Sequence, residues 1–161
     1  MTGTLTVRPA EPADMAAIDA VMARSFPRLL KEAYPPSIRV LAVPRFARVN
    51  PRLVGSGRYY VALGEGGRII GAGGWSAGAG EAAEVRHVAT APDYLRLGVG
   101  RAILSRVIEA AAAAGVRRLD CLATRNAVPF YAAIGFVALG PVEVPLAAGI
   151  SFPAERMVRE L

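Results

Sequence analysis

The sequence predicts an α/β chain of the α+β kind: a mixed, mostly antiparallel sheet of about 6–7 strands flanked by about 4 helices. Three observations predict it. Strand-like and helix-like runs alternate along the chain, a glycine-rich turn joins two strand-like runs directly, and a two-glycine loop joins a third to a long amphipathic segment. At 161 residues, 53% of them hydrophobic, the chain suits one domain over 1–161 with a substantial core.

Residues 5–8 alternate apolar and polar side chains and read as a strand. Over 11–26, Met15, Ile18, Val21 and Met22 recur at helical spacing. From 27 to 57 the prolines Pro27, Pro35, Pro36, Pro44 and Pro51 interrupt the pattern, which predicts one or two short helices and a loop. Residues 59–63 and 68–75, separated by Gly64-Glu65-Gly66-Gly67, form a hairpin, and 84–90 make a third strand. Val99, Ile103, Val107 and Ala110 lay an apolar stripe along a helix that ends at Gly115. A strand over 118–122 follows. Asn126 is a good N-cap for a short helix containing Phe130, Tyr131 and Ile134 and stopped by Gly135. Strands over 136–146, broken near Gly140-Pro141, and 155–161 close the chain.

Composition narrows the function. The formal charge is +6, yet the arginines are scattered, Lys31 is the only lysine, and no stretch interleaves basic and aromatic residues as a single-strand reader would. A nucleic-acid role is therefore disfavoured. Scarce lysine beside abundant alanine reads as the composition bias of a bacterial genome. No apolar run approaches the roughly 20 residues of a membrane span, and the first residues lack a signal-peptide pattern, so a cytoplasmic protein is expected. The lone Cys121 has no partner for a disulfide or zinc cluster; it is read as a small buried hydrophobe, and no metal is expected.

The most informative stretch is Leu95-Arg96-Leu97-Gly98-Val99-Gly100-Arg101-Ala102, lying between a strand and a helix. Glycines there let several peptide N–H groups face one concavity, with the helix supplying unpaired donors and a positive dipole end. That arrangement holds phosphate. A nucleotide P-loop would need Gly-Lys and then Ser or Thr, whereas Gly100 is followed by Arg101-Ala102. A dinucleotide fold would find a ribose acceptor in Asp120, but Ile103 stands where the third glycine belongs and no second half follows.

Glu84-Val85-Arg86-His87-Val88-Ala89-Thr90, the Gly98-Val99-Gly100 loop and Asn126-Ala127-Val128-Pro129-Phe130-Tyr131-Ala132-Ala133-Ile134-Gly135-Phe136 together resemble the GNAT superfamily of N-acetyltransferases. The resemblance runs along most of the chain and implies a single GNAT-like domain that uses acetyl-CoA. On that reading the pyrophosphate lies over the N–H groups of Leu97, Gly98, Val99, Gly100 and Arg101, and the pantetheine arm pairs with backbone of Val88, Ala89 and Thr90. The family usually carries Gln or Arg where Leu95 stands, so the ligand-facing side chain is either supplied by Arg96 or missing. Asn126 would cap its helix and lie beside the arm.

The resemblance also implies direct acetyl transfer to a primary amine, with Glu84 as general base and Tyr131 as acid toward the CoA sulfur. A free glutamate near 4.3 faces an alkyl ammonium near 10.4, so unaided deprotonation is uphill by roughly 8 kcal/mol and needs burial or a water relay. His87 is closer in pKa, but strict strand alternation puts it on the face opposite Glu84 and Val88, which predicts a core or rim histidine. Phe130 and Ile134 should form the short helix's buried stripe, turning Tyr131 toward the thioester. Proton donation from tyrosine (about 10) to a thiolate (about 8.5) is uphill by roughly 2 kcal/mol, which favours a strengthening hydrogen bond. The amide N–H of Val88 or Ala89 would face the thioester oxygen. In the family the acceptor usually enters over the segment after the first helix and beside the last two strands, which here hold Phe26, Arg28, Lys31, Tyr34, Arg39, Tyr59, Tyr60 and Phe152. This mixture suits a small amine or amino-acid-like metabolite better than a basic protein tail. Neither nucleic acid nor membrane is expected as a partner, and a homodimer is left open. A noncatalytic acetyl-CoA sensor is the alternative.

Overall fold

The computed structural model describes residues 5–46 and 48–161. In chain order the elements are β1 (Thr6–Pro9), α1 (Met15–Lys31), α2 (Pro36–Phe46), α3 (Pro51–Gly55), β2 (Tyr59–Leu63), β3 (Ile69–Ala77), β4 (Ala82–Thr90), α4 (Val99–Ala113), β5 (Arg118–Ala123), α5 (Val128–Ala133), β6 (Val137–Ala147) and β7 (Ile150–Glu160). The strands form one sheet in the order β1-β2-β3-β4-β5-β7-β6. Only β4 and β5 run parallel, so the sheet is mixed and mostly antiparallel. One face carries a core built with α4 and α5, the other a core built with α1 and α3, and α2 packs on the β6–β7 hairpin around Leu30, Tyr34 and Phe152.

Two expected boundaries move. Helix α1 continues through Pro27 to Lys31. Phe26 and Leu30, one turn apart, are buried in different clusters, and their burial outweighs the roughly 3 kcal/mol that an interior proline costs a helix. Strand β7 starts at Ile150 instead of 155 and contains Pro153. Over that stretch it pairs only with β6, because β5 meets β7 only from Glu155 onward. A strand with one free edge tolerates a missing N–H.

The junction of β3, β4 and β5 shapes everything around it. Parallel pairing of β4 with β5 covers Ala82, Ala83 and Glu84 and stops there. On the other side, Gly74 pairs with Arg86 and Ala72 with Ala89, so His87 and Val88 together oppose Gly73. This is a β-bulge, and His87 adopts φ 47° within it. The extra residue shifts the alternation: Ala83, Val85 and Val88 all pack on the α4 side. Val88 therefore lies on the face opposite Glu84, contrary to the expectation from strict alternation.

Helix α4 lies close on β3 because the strand presents glycines beneath it. A Cβ added at Gly71 would stand 2.6 Å from Val99 Cγ1, and one at Gly73 would stand 2.8 Å from Ile103 Cγ2. Both contacts are too short to accommodate without movement. Gly73→Ala is expected to destabilise the fold by roughly 1–3 kcal/mol through overpacking; urea unfolding that matches the parent protein would show that α4 can shift without cost.

Candidate active site

Where β4 and β5 part, a cleft of about 520 Å³ opens through the middle of the sheet. Its walls include Glu84, His87 and Val88 from β4, Cys121 from β5 and Tyr131 from α5, while Phe26 and Leu29 of α1 and Phe152 of β7 close one end. Residues from separate segments meet here because the missing β4–β5 hydrogen bonds leave a gap that no side chain fills.

The glycine loop lies at the start of α4. Arg96 and Gly98 take positive φ, 63° and 82°, and Leu95, Arg96 and Leu97 are exposed. The helical ladder begins with Ala102 N–H donating to Gly98 O at 2.9 Å, so the N–H groups of Val99, Gly100 and Arg101 leave the helix end without intrahelical acceptors. Nothing lies within 4 Å of the Cβ position at Gly98, and the loop is open in front of these donors. Gly100 has a different reason to be glycine. Its Cβ would stand 2.9 Å from Phe130 Cζ, so the ring beside Tyr131 packs directly on the loop. Val99 is buried under the sheet, and only its backbone can serve a ligand; Arg96 and Arg101 are exposed. Of the three β4 residues expected beside an arm, Val88 lines the cleft, whereas Ala89 and Thr90 lie further along the strand and pair with β3.

Asn126 is not a helix cap. A short 3-10 turn, Arg125–Ala127, comes first and moves the cap position of α5 to Ala127. The Asn126 Nδ2 instead donates to Leu29 O at 2.7 Å, tying this turn to α1. Thr124, just before it, does line the cleft, and its buried hydroxyl has no hydrogen-bond partner.

Tyr131, and not Phe130 or Ile134, is the buried residue of α5. A six-residue helix has no room for a full stripe, and edge contacts with Phe130 and Phe136, ring centroids 5.1 and 5.5 Å away, seat the ring in the core. Burial pushes its phenol well above the usual tyrosine range, and the neighbouring Cys121 adds to this. Burial likewise pushes the Cys121 thiol up to about 12. Both groups keep their protons at neutral pH, so the pair offers donors and no thiolate nucleophile.

Glu84 is exposed at the cleft and sits beside Asp120 in the parallel register. Asp120 is held from two sides, by Arg156 at 2.9 Å and Arg118 at 3.2 Å. His87 shares this cleft, where the bulge carries it. Burial lowers its pKa below the ordinary histidine value, and Arg86 lowers it further, leaving a neutral imidazole. Tyr59 Oη donates to His87 O at 2.7 Å and so fixes the bulge.

Among the aromatic and basic residues expected to meet the acceptor, only Phe26 and Phe152 reach the cleft. Tyr59 and Tyr60 belong to the cores, and Arg28 and Lys31 are exposed away from it. Arg39 lies outside the walls as well. Tyr34 works behind the wall: its hydroxyl donates to Pro153 O at 2.7 Å and accepts from Arg125 N at 3.0 Å, and its ring stacks on Phe152 at 4.4 Å. The sequence reading missed Arg86, Arg118, Thr124 and Arg156 and assigned Asp120 only to a rejected dinucleotide reading. The alternation over 118–122 was the one available signal for a shared face.

A family model described as acetyltransferase (GNAT) domain matches residues 55–138, which include β4, the glycine loop and α5. The fold resembles a GCN5-related N-acetyltransferase from Rhodopseudomonas palustris (22% identity, 100% of this chain and 99% of that one, TM-score 0.84). It also resembles the PaiA N-acetyltransferase of Thermoplasma acidophilum in complex with coenzyme A (12%, 98% and 99%, 0.76). A third likeness is the ribosomal-protein-S18-alanine N-acetyltransferase of Escherichia coli (20%, 98% and 94%, 0.67). No curated protein matches the sequence.

Because the folded state depresses the His87 pKa, the fold binds fewer protons there than the unfolded chain. Its contribution is complete above the unfolded value near pH 6.5 and is lost as pH falls through the lower folded value. Urea midpoints should drop across this interval, and His87→Gln should flatten the drop; an unchanged slope in the variant would reject the assignment.

Proposed function

The chain belongs to the GNAT acetyltransferase family, and from that premise we propose that it moves the acetyl group of acetyl-CoA directly to the primary amine of a small amine or amino-acid-like metabolite. The observation that carries this reading is Tyr131: a phenol kept protonated by burial, on the wall of the cleft where two parallel strands part, one residue from the ring that packs on the glycine loop.

Acetyl-CoA supplies an acetyl thioester; the chain supplies its grip, its alignment and the handling of protons. The N–H groups of Val99, Gly100 and Arg101 hold the pyrophosphate together with the positive end of α4, and Arg96 and Arg101 stand beside them. Backbone groups of Val88 and Thr90, on the β4 edge that has no strand against it, take the amide-bearing arm as a partial strand, whereas Ala89 turns its backbone groups to β3. At the bulge, the peptide N–H of Val88, which faces away from β3, serves the thioester oxygen as charge develops there. As the amine nitrogen bonds to the carbonyl carbon, the carbon–sulfur bond breaks and the nitrogen gives up a proton. Glu84 receives that proton through water, with neutral His87 beside it in the same cleft. Tyr131 donates a hydrogen bond to the departing sulfur, which leaves as the CoA thiol once protonated. Its raised pKa favours stabilising the sulfur over surrendering the phenol proton outright. The protonated Cys121 thiol argues for transfer in one ternary complex, without an acetyl-cysteine stage.

Incubating the protein with acetyl-CoA and a panel of amines should release free CoA thiol in step with amine acetylation. Acetyl-CoA binding without release would favour the noncatalytic sensor, and activity confined to basic peptides would reject the small-acceptor reading. Tyr131→Phe should lower kcat at least about tenfold while acetyl-CoA affinity stays within about twofold; undiminished turnover would remove Tyr131 from the mechanism.

A further inference from the structure

The acceptor side of the cleft has a charge pattern more specific than an amine alone requires. Three guanidinium groups line it, from Arg86, Arg118 and Arg156, against two carboxylates, Glu84 and Asp120. Asp120 is engaged by two arginines: Oδ1 accepts from Arg156 Nη2 at 2.9 Å and Oδ2 from Arg118 Nε at 3.2 Å. Each of those guanidinium groups spends only part of its donor set on Asp120, and the two arginine side chains are 44% and 45% exposed. Arg86 is held in turn by Ser76 Oγ at 3.1 Å. Arginines fixed by partners on the protein, with donors to spare, form a receptor for an anion whose ordering cost is already met by the fold.

Glu84 differs from Asp120. No ion pair engages it among the described residues, although its Cα neighbour across the parallel ladder is Asp120 itself. The backbones that bear the unpaired carboxylate and the arginine-bearing one thus lie about one strand spacing, ~4.8 Å, apart. Beyond them the same cleft turns apolar. Leu122, the register partner of Arg156, lines it and is 58% exposed, and Phe26, Leu29 and Phe152 line it too.

We propose that the acceptor is a free α-amino acid with an apolar side chain, its carboxylate bound by Arg156 and Arg118, its amino group at Glu84, and its side chain over Leu122 and Phe152. This rests on the acetyl-transfer reading and narrows it. An α-amino acid carries its amine and carboxylate on one carbon, which matches the close spacing of the two receptors. A polycationic tail is repelled by three arginines, and a simple alkylamine leaves the guanidinium groups without a ligand. Arg156 and Arg118 act here as specificity-determining residues and take no part in the bond changes.

The test compares leucine with isoamylamine, and phenylalanine with phenethylamine, by CoA-thiol release. Each amino acid should exceed its decarboxylated partner in kcat/KM by about tenfold or more, the scale of one or two charge-assisted hydrogen bonds. Arg156→Gln should bring the ratio within about twofold of unity, chiefly through a higher KM for the amino acid, and Arg156→Lys should fall between. Should thermal melting show Arg156→Gln unfolded, Arg118→Gln carries the same expectation. Equal or better use of the decarboxylated amines, or an unchanged KM in folded variants, overturns the carboxylate receptor while acetyl transfer stands. Thiol release with no amine at all overturns both.

Discussion

Three residue pairs, Ala82 with Arg118, Ala83 with Leu119 and Glu84 with Asp120, are all that join β4 to β5. Their end is the constraint on which the site depends. A sheet interior normally offers no open backbone edge and no room for a ligand. Here the strands separate immediately past the ion-paired Asp120, and the bulge at His87 turns β4 away from its former neighbour. The separation leaves backbone donors and acceptors in the middle of the sheet and exposes both of its faces to one cleft.

Packing then places the chemistry around that gap. Gly71 and Gly73 let α4 descend onto β3, which fixes the open end of the helix relative to the cleft. Gly100 lets Phe130 press on the loop, and the adjacent Tyr131 is thereby carried into the core beside Cys121. The phosphate-facing loop and the buried phenol are thus parts of one packed unit. Because the interior tolerates little change in volume, their spacing is set by side-chain contact more than by the backbone between them.

The far wall is built by long-range ties. Pro27 would end α1 on local grounds, yet the burial of Leu30 and the Tyr34 hydroxyl on Pro153 O hold helix and hairpin together. Asn126 on Leu29 O adds a second tie from the α5 side. These ties hold the segments that bring Phe26 and Phe152 to one cleft. Electrostatics completes the wall: Asp120 gathers arginines from β5 and β7, whereas no ion pair engages Glu84 among the described residues.

Much of this was legible in the chain. Periodicity located the strands of the β2–β3 hairpin, the stripe of α4 and its stop at Gly115, because these depend on contacts a few residues apart. The spacing of the glycine loop and the Phe130-Tyr131 block pointed to one family, since both are local backbone and side-chain patterns. Other features required residues distant in sequence to meet. Alternation failed at His87 because the bulge is a property of the β3–β4 pairing and of the Tyr59 hydroxyl, neither written locally in 84–90. Asn126 does not cap α5 because its amide finds a carbonyl in α1, 97 residues away, in place of its own helix. The sequence by itself determined the elements, the loop able to hold phosphate and the candidate phenol. Tertiary structure decided the parting of the strands, the face each side chain took and the pairing of charges at the cleft, because these follow from which distant surfaces bury one another.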